Sequence, residues 1–185
     1  KEIEIVSAQM NRAGEALRKL RTKAASKLAE TGRRNRRDLG FRQSEFEAKL
    51  DALDEPRLNG FDLVELLFSP NPGEPLKPLR TIASSGEISR LMLAIKSALA
   101  AHDAIPLLVF DEIDTNVGGE IAHAVGAKMQ TLGRDHQLIC ITHLPQVAAT
   151  ASSHFVVTKE VARGRTYSQL REISGKGRQE EIARM

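Results

Sequence analysis

The sequence predicts an α/β protein in which a parallel sheet flanked by helices follows a long N-terminal helix of coiled-coil type. Two observations carry this. Two short strand-like segments, the apolar residues 107–110 and residues 137–141, apolar after Gln137, bracket a stretch of helical periodicity at residues 120–132. Strands that are apolar throughout and alternate with helices belong to parallel sheets buried on both faces. The second observation is that Ile3, Val6, Met10, Ala13, Leu17, Leu20 and Ala24 recur at alternating spacings of three and four, the seam of a heptad repeat.

In chain order, the first thirty residues read as helix, with Arg18, Lys19, Arg21 and Lys23 on its outer faces. The seam needs a cover. That is either another chain, a missing part of this one, or the helix's own domain. From Thr31 the pattern loosens: Gly32 interrupts it, and Arg33, Arg34, Arg36 and Arg37 follow as a cluster. Phe46, Ala48 and Leu50 alternate with charged neighbours as in a strand, and residues 63–68 form a second, with residues 54–60 as the connection. Residues 70–78 hold four of the seven prolines and predict an irregular loop. A helix over residues 87–101 follows, then the 107–110 strand, the 120–132 helix and the 137–141 strand. Residues 155–159 and 166–173 predict a closing hairpin that turns at Arg163 and Gly164, before a short C-terminal helix.

Composition narrows the possible functions. No apolar run approaches the ~18 residues of a membrane helix, so no membrane partner is expected. The single cysteine, Cys140, rules out a disulfide framework and a Cys/His zinc cluster, and suits a reducing compartment. Aromatics are 4% with no Trp, against a platform for stacking bases. Residues 1–50 hold 13 Lys and Arg against 7 Asp and Glu, whereas the remainder is slightly acidic. A basic front half suits nucleic acid, although a solvated helix face has the same composition. The chain begins at Lys1 within a predicted helix and reads as a piece of something longer.

Three features carry chemistry. The 107–110 strand ends in Asp111 and Glu112, which places two acids at the carboxyl edge of a parallel sheet, where α/β proteins bind ligands. The first acid suits Mg²⁺, and the second suits orienting or deprotonating a water. Ser84, Ser85, Gly86 and Glu87 precede a helix, whose free N–H groups and dipole favour an anion. The next buried strand ends in Thr142 and His143, and a His there can reach a phosphate held near the acids. Taken singly, each has a plainer alternative: a solvated strand end, an N-cap, a loop histidine.

In that order and spacing, the three resemble the C-terminal half of an ABC-type ATPase head. With the coiled-coil arm in front, they resemble its SMC-like branch. The segment from Asn71 to Leu79, the run from Ile82 to Arg90, Phe110-Asp111-Glu112-Ile113-Asp114, and Thr142-His143-Leu144-Pro145-Gln146-Val147-Ala148 look like the RecN family of bacterial DNA repair proteins. The resemblance implies residues 1–40 as the end of a coiled-coil arm and residues 41–185 as the C-terminal half of the head. It implies Asp111 as the Walker B acid on Mg²⁺, Glu112 as catalytic base and His143 as switch histidine. Ser84, Ser85, Gly86 and Glu87 match the signature that meets the γ-phosphate of ATP on the opposite head, and Asp114 opens the D-loop region that runs to Gly119. The implied partners are the N-terminal half of the same protein, a second head in an ATP-dependent homodimer, and DNA; the implied location is cytoplasmic, at the nucleoid.

The chain departs from the pattern twice. Ser85 stands where the signature usually has Gly, and its Cβ can crowd a phosphate. Gly118 stands where transporter D-loops carry Asp, as suits the SMC-like branch. No G-x-x-x-x-G-K-[ST] occurs in the sequence, and that loop does most of the phosphate cradling. The segment alone is therefore expected to turn over no ATP. The alternatives are a half-head of another SMC-like recombination ATPase and a non-catalytic coiled-coil adaptor whose acids are structural.

Overall fold

A computed structural model describes residues 1–162 and 164–185. The chain divides into two compact units, Lys1–Leu99 and Ala100–Met185. The first unit holds helix α1 (Glu2–Arg37), a sheet of β1 (Glu45–Arg57), β2 (Gly60–Ser69) and the two-residue β3 (Lys77–Pro78), and helix α2 (Ser85–Leu99). The second holds β4 (Leu107–Phe110), α3 (Gly119–Leu132), β5 (Gln137–Cys140), the single turn α4 (Pro145–Ala148), the hairpin β6 (His154–Ala162) and β7 (Arg165–Ile173), and α5 (Gly175–Arg184).

In the first unit, α1 runs on through Gly32 to Arg37 rather than loosening at Thr31. Gly32 is spanned because the Arg36 side chain, one turn later, lies back over it: a Cβ on Gly32 would stand 3.3 Å from Arg36 Nη1. The predicted seam is not the buried face. Ile3, Val6, Met10 and Leu20 are exposed. The helix instead meets β2 through Gly14, where any Cβ would come within 2.6 Å of the Phe61 ring. Polar pairing extends this contact. Arg18 Nε donates to Asp62 Oδ1 at 2.6 Å, Arg21 Nη1 to Asp62 Oδ2 at 3.1 Å, and Arg21 Nη2 to the Asn59 carbonyl at 2.6 Å. The two arginines hold the buried Asp62 carboxyl below its ordinary range.

The predicted 54–60 connection is a correction. Strand β1 continues to Arg57 and turns through Leu58 and Asn59 alone, with Gly60 at φ +108°. Pro56 is tolerated because β1 is an edge strand, and the pairing register shifts between Ala52 and Arg57. The proline loop is irregular as expected, except that Lys77 and Pro78 pair with Phe68 and Leu67. Phe68, Phe41, Leu39, Leu91 and Leu93 form the core, with the Phe41 and Phe68 rings edge to face at 5.2 Å.

In the second unit, β4 and β5 pair in parallel, Leu107 opposite Gln137 through Phe110 opposite Cys140. Leu108 and Phe110 join Ile113, Ala122, Val125, Met129 and Leu132 in the core. Among the described residues the parallel pair is covered on one face. The alternate residues Leu107, Val109 and Ile139, and Ile141 just beyond β5, are 44–60% exposed. Helix α3 lies close to α4, so that a Cβ on Gly126 would stand 3.0 Å from the Gln146 carbonyl. Strands β6 and β7 pair antiparallel along their whole length, His154 opposite Ile173 through Ala162 opposite Arg165. Of the predicted turn, Gly164 has φ +73°, and Arg163 lies outside the described residues. Arg178 of α5 donates to the carbonyls of Ala149 and Ala151, at 3.1 and 2.6 Å, and ties that helix to the end of α4.

Candidate active site

The end of β4 sets the site. Phe110 is the last buried residue of the strand, so the chain leaves the sheet at Asp111 with nothing apolar left to bury. It then turns sharply. Asp111 Oδ1 accepts the Glu112 N–H at 2.9 Å, and Glu112 adopts φ +54°, a left-handed conformation that L-residues with long side chains seldom take. Such strain persists only where the surroundings fix it, and it concentrates at working sites. The turn continues with Thr115 N–H on the Glu112 carbonyl at 3.2 Å and Val117 N–H on the Asp114 carbonyl at 3.3 Å. Asp111 and Glu112 are left exposed, whereas Ile113 and Asp114 are turned inward.

The neighbouring strand supplies the rest. After Cys140, Ile141 N–H still bonds the Phe110 carbonyl at 2.9 Å, which keeps the two strand ends level. Asp114, 2% exposed, then gathers the segment beyond β5. Its Oδ2 accepts the Thr142 hydroxyl in a short hydrogen bond, accepts the His143 backbone N–H at 2.8 Å, and lies 3.3 Å from His143 Nδ1. Thr142 Oγ1 in turn accepts the Leu144 N–H at 3.1 Å. The His143 ring remains mostly exposed. Asp111, Glu112, Asp114, Thr115, Thr142 and His143 thereby line one pocket of about 190 Å³. Its negative field shows at Cys140: burial first, then the charges of Asp114 and Asp111, push the thiol up to about 12.

Of the residues singled out in the sequence, Asp111, Glu112, Asp114 and His143 thus share one pocket. Ser84, Ser85, Gly86 and Glu87 belong to the other unit, at the start of α2. There the Ser84 carbonyl accepts the Ile88 N–H at 3.1 Å and its hydroxyl accepts the Glu87 N–H at 3.4 Å, so Ser84 acts as the N-cap. Ser85 is exposed and Gly86 buried. Gly118 is extended with open space where a Cβ would stand, so the lack of Asp there is not imposed by crowding. Sequence inspection missed the part played by Thr142; a hydroxyl next to the histidine at a strand end was the available signal.

Asp111 offers one carboxylate, and among the described residues no group of three His, Cys, Asp or Glu side chains converges to hold a metal alone. A single carboxylate could hold Mg²⁺, which usually keeps several waters and is held by one or two carboxylates plus substrate phosphates.

A parallel strand pair ending in adjacent acids, a histidine on the next strand end and a long preceding helix give this chain the fold of an Smc head domain. The fold of a solved Smc head domain with coiled coil from Pyrococcus yayanosii superposes on 99% of this chain and 34% of that one, with a TM-score of 0.66 at 20% identity. A Smc head from Pyrococcus furiosus bound to the C-terminal domain of ScpA covers 92% of the chain and 40% of its own length, with a TM-score of 0.58 at 19% identity. No family model matches the chain. Among curated proteins, DNA repair protein RecN of Xylella fastidiosa is 44% identical over 175 residues, and that of Deinococcus radiodurans is 41% identical over 184. The similarity runs along 94% and 100% of this chain, which spans about a third of the length of those relatives, 31% and 32%.

Proposed function

We propose that the segment is the C-terminal half of an ATP-hydrolysing head in a RecN-type protein acting in DNA double-strand break repair. The supporting observation is the arrangement of Asp111, Glu112, Asp114 and His143 around one pocket at the carboxyl edge of β4 and β5. Bound at Asp111, Mg²⁺ would neutralise charge on the phosphates. Glu112, projecting from its strained turn, orients a water and takes its proton. His143, held by Asp114 through backbone and ring, stands where it can sense the terminal phosphate. Asp114 is a positioning residue: its carboxylate contacts the segment carrying His143. The signature at the start of α2 completes the site of a second head, so that ATP is sandwiched within a homodimer.

The N-terminal half of the same protein supplies the phosphate-cradling loop, which these residues lack, and covers the open apolar face of Leu107, Val109, Ile139 and Ile141. Four side chains this exposed forfeit about 1 kcal/mol or more each until they are covered. The head is joined through α1 to a coiled-coil arm, and DNA is the cargo. The test is Glu112→Gln in the intact protein. ATP binding should persist, and turnover should fall ~10²–10⁴-fold, because the amide still bonds water but takes no proton. Near-normal turnover would remove Glu112 as the base.

A further inference from the structure

We propose that the cavity between the last turn of α1 and the start of β1 is a phosphate-binding pocket. It has a volume of about 500 Å³, and its lining includes Arg33, Arg36, Arg37 and Arg42. Arg36 is the centre. It is 2% exposed, donates from Nε to Ser44 Oγ at 3.2 Å, and lays its guanidinium over the Phe46 ring at 5.2 Å. Its Nη1 is buried and bonds nothing. Burial, and then the charge of Arg33, lower the guanidinium to about 10, as befits a cation short of an anion. A buried charged donor left unsatisfied is costly, and a fold seldom keeps one without a partner. Gly32 makes room for that side chain on the helix.

The surroundings point to an oxyanion. Among the described residues, Arg33, Arg37 and Arg42 make no ion pair, although each lines the cavity. Glu45 and Glu47 also contribute to the lining, but flank the buried Phe46 on β1 and stay exposed, so strand alternation turns them from the face on which Arg36 stacks. Neither pairs with an arginine, and the cavity keeps an excess of two positive charges. The helix C-terminus holds three of these cations favourably when the pocket is empty. Guanidinium groups bind phosphate through paired N–H donors, and the oxygens of one phosphate can satisfy several arginines at once. The ligand is a phosphate group, either on a nucleic-acid backbone or free in solution; the first source rests on the DNA function proposed above.

The experiment uses the intact protein and three variants. Arg33→Gln with Arg37→Gln alters exposed side chains outside the candidate active site. Arg36→Met removes the buried charge at similar volume. Arg12→Gln with Lys19→Gln removes equal charge from α1 far from the cavity. Pyrophosphate is titrated by calorimetry with saturating ADP occupying the ATP site, and duplex DNA is titrated across a range of salt. Pyrophosphate binding should weaken at least tenfold in both pocket variants and hold in the control. If the source is DNA, pyrophosphate should compete with the duplex, and the salt slope of DNA binding should fall by about one to two in the pocket variants only. Loss of pyrophosphate binding with DNA binding unchanged identifies a free phosphate. Failure of both pocket variants to alter either ligand, or an equal effect of the control, overturns the pocket while wild-type DNA binding keeps the repair function standing. A wild-type protein that binds pyrophosphate in the pocket but no DNA would keep the pocket and refute the DNA function.

Discussion

Replacing Asp114 tests whether the site is held together as its geometry implies. The carboxylate is buried and takes two hydrogen bonds from beyond β5, one from the Thr142 hydroxyl and one from His143 N–H at 2.8 Å. A hydrogen bond to a charged group contributes about 1.5–3 kcal/mol, so the pair amounts to about 3–6 kcal/mol before relaxation. Asp114→Ala also leaves a hydroxyl and an amide facing an empty space. Exposure of the nearby loop lets water recover part of this, and a net loss of about 2–4 kcal/mol is expected in chemical denaturation of the intact protein. Asp114→Asn keeps one acceptor oxygen and should lose about half as much.

Stability alone does not separate positioning from packing; kinetics do. If Asp114 acts by fixing His143, a misplacement of the histidine by an ångström lowers kcat by up to ~10²-fold while ATP binding changes little. The decisive measurement is a cycle of Asp114→Asn, His143→Ala and the double variant, followed by ATP turnover at saturation. The losses should be strongly non-additive, with the double variant close to His143→Ala alone. Additive losses would show that Asp114 does not work through His143, and an unchanged kcat in both single variants would refute the assignment of the pocket.

Three further outcomes are expected. Ser84→Arg should leave ATP affinity of a monomeric head within a few-fold and abolish ATP-dependent dimers, read by nucleotide binding and sedimentation on one sample; loss of monomer binding with dimers intact would place the signature in cis. Cys140, raised to about 12 mainly by burial, should react with iodoacetamide ~10³-fold more slowly at pH 8 than in the unfolded chain. Because the fold favours the neutral thiol, its contribution to stability should be complete below the ordinary thiol range and lost as pH climbs towards 12, which denaturation of wild type and Cys140→Ala at two pH values would measure. Gly126→Val should destabilise by about 1–3 kcal/mol, since its Cβ would meet the Gln146 carbonyl at 3.0 Å and Thr150 Cγ2 at 2.9 Å; an unchanged midpoint would show that α3 and α4 are free to separate.

How much of this was legible in the sequence follows from where each signal lies along the chain. The end of β4 could be read because its evidence is local: an apolar run stops and two acids begin. The bond network of Asp114 could not, because its partners lie 28 and 29 residues away and a buried aspartate has no pattern distinct from a loop aspartate. Helix α1 misled for a related reason. Its apolar positions formed the more obvious seam, yet the face that packs is made of Gly14, Arg18, Arg21, Gly32 and Arg36, where glycine gives close approach and arginine reaches a buried carboxylate or a ring. Hydrophobic periodicity shows that a face requires cover and leaves open which body covers it. The same holds for β4 and β5: their apolarity implies two covered faces, and the described residues supply one. Two unpartnered apolar surfaces, one along α1 and one on the parallel strands, are what a segment matching a third of its relatives' length would present if its folding partner lies in the other two thirds. A partner that covers the strands must pass over Val109, one residue before Phe110 and two before Asp111. On the function proposed above, the half that covers this face therefore also reaches the edge of the pocket at Asp111.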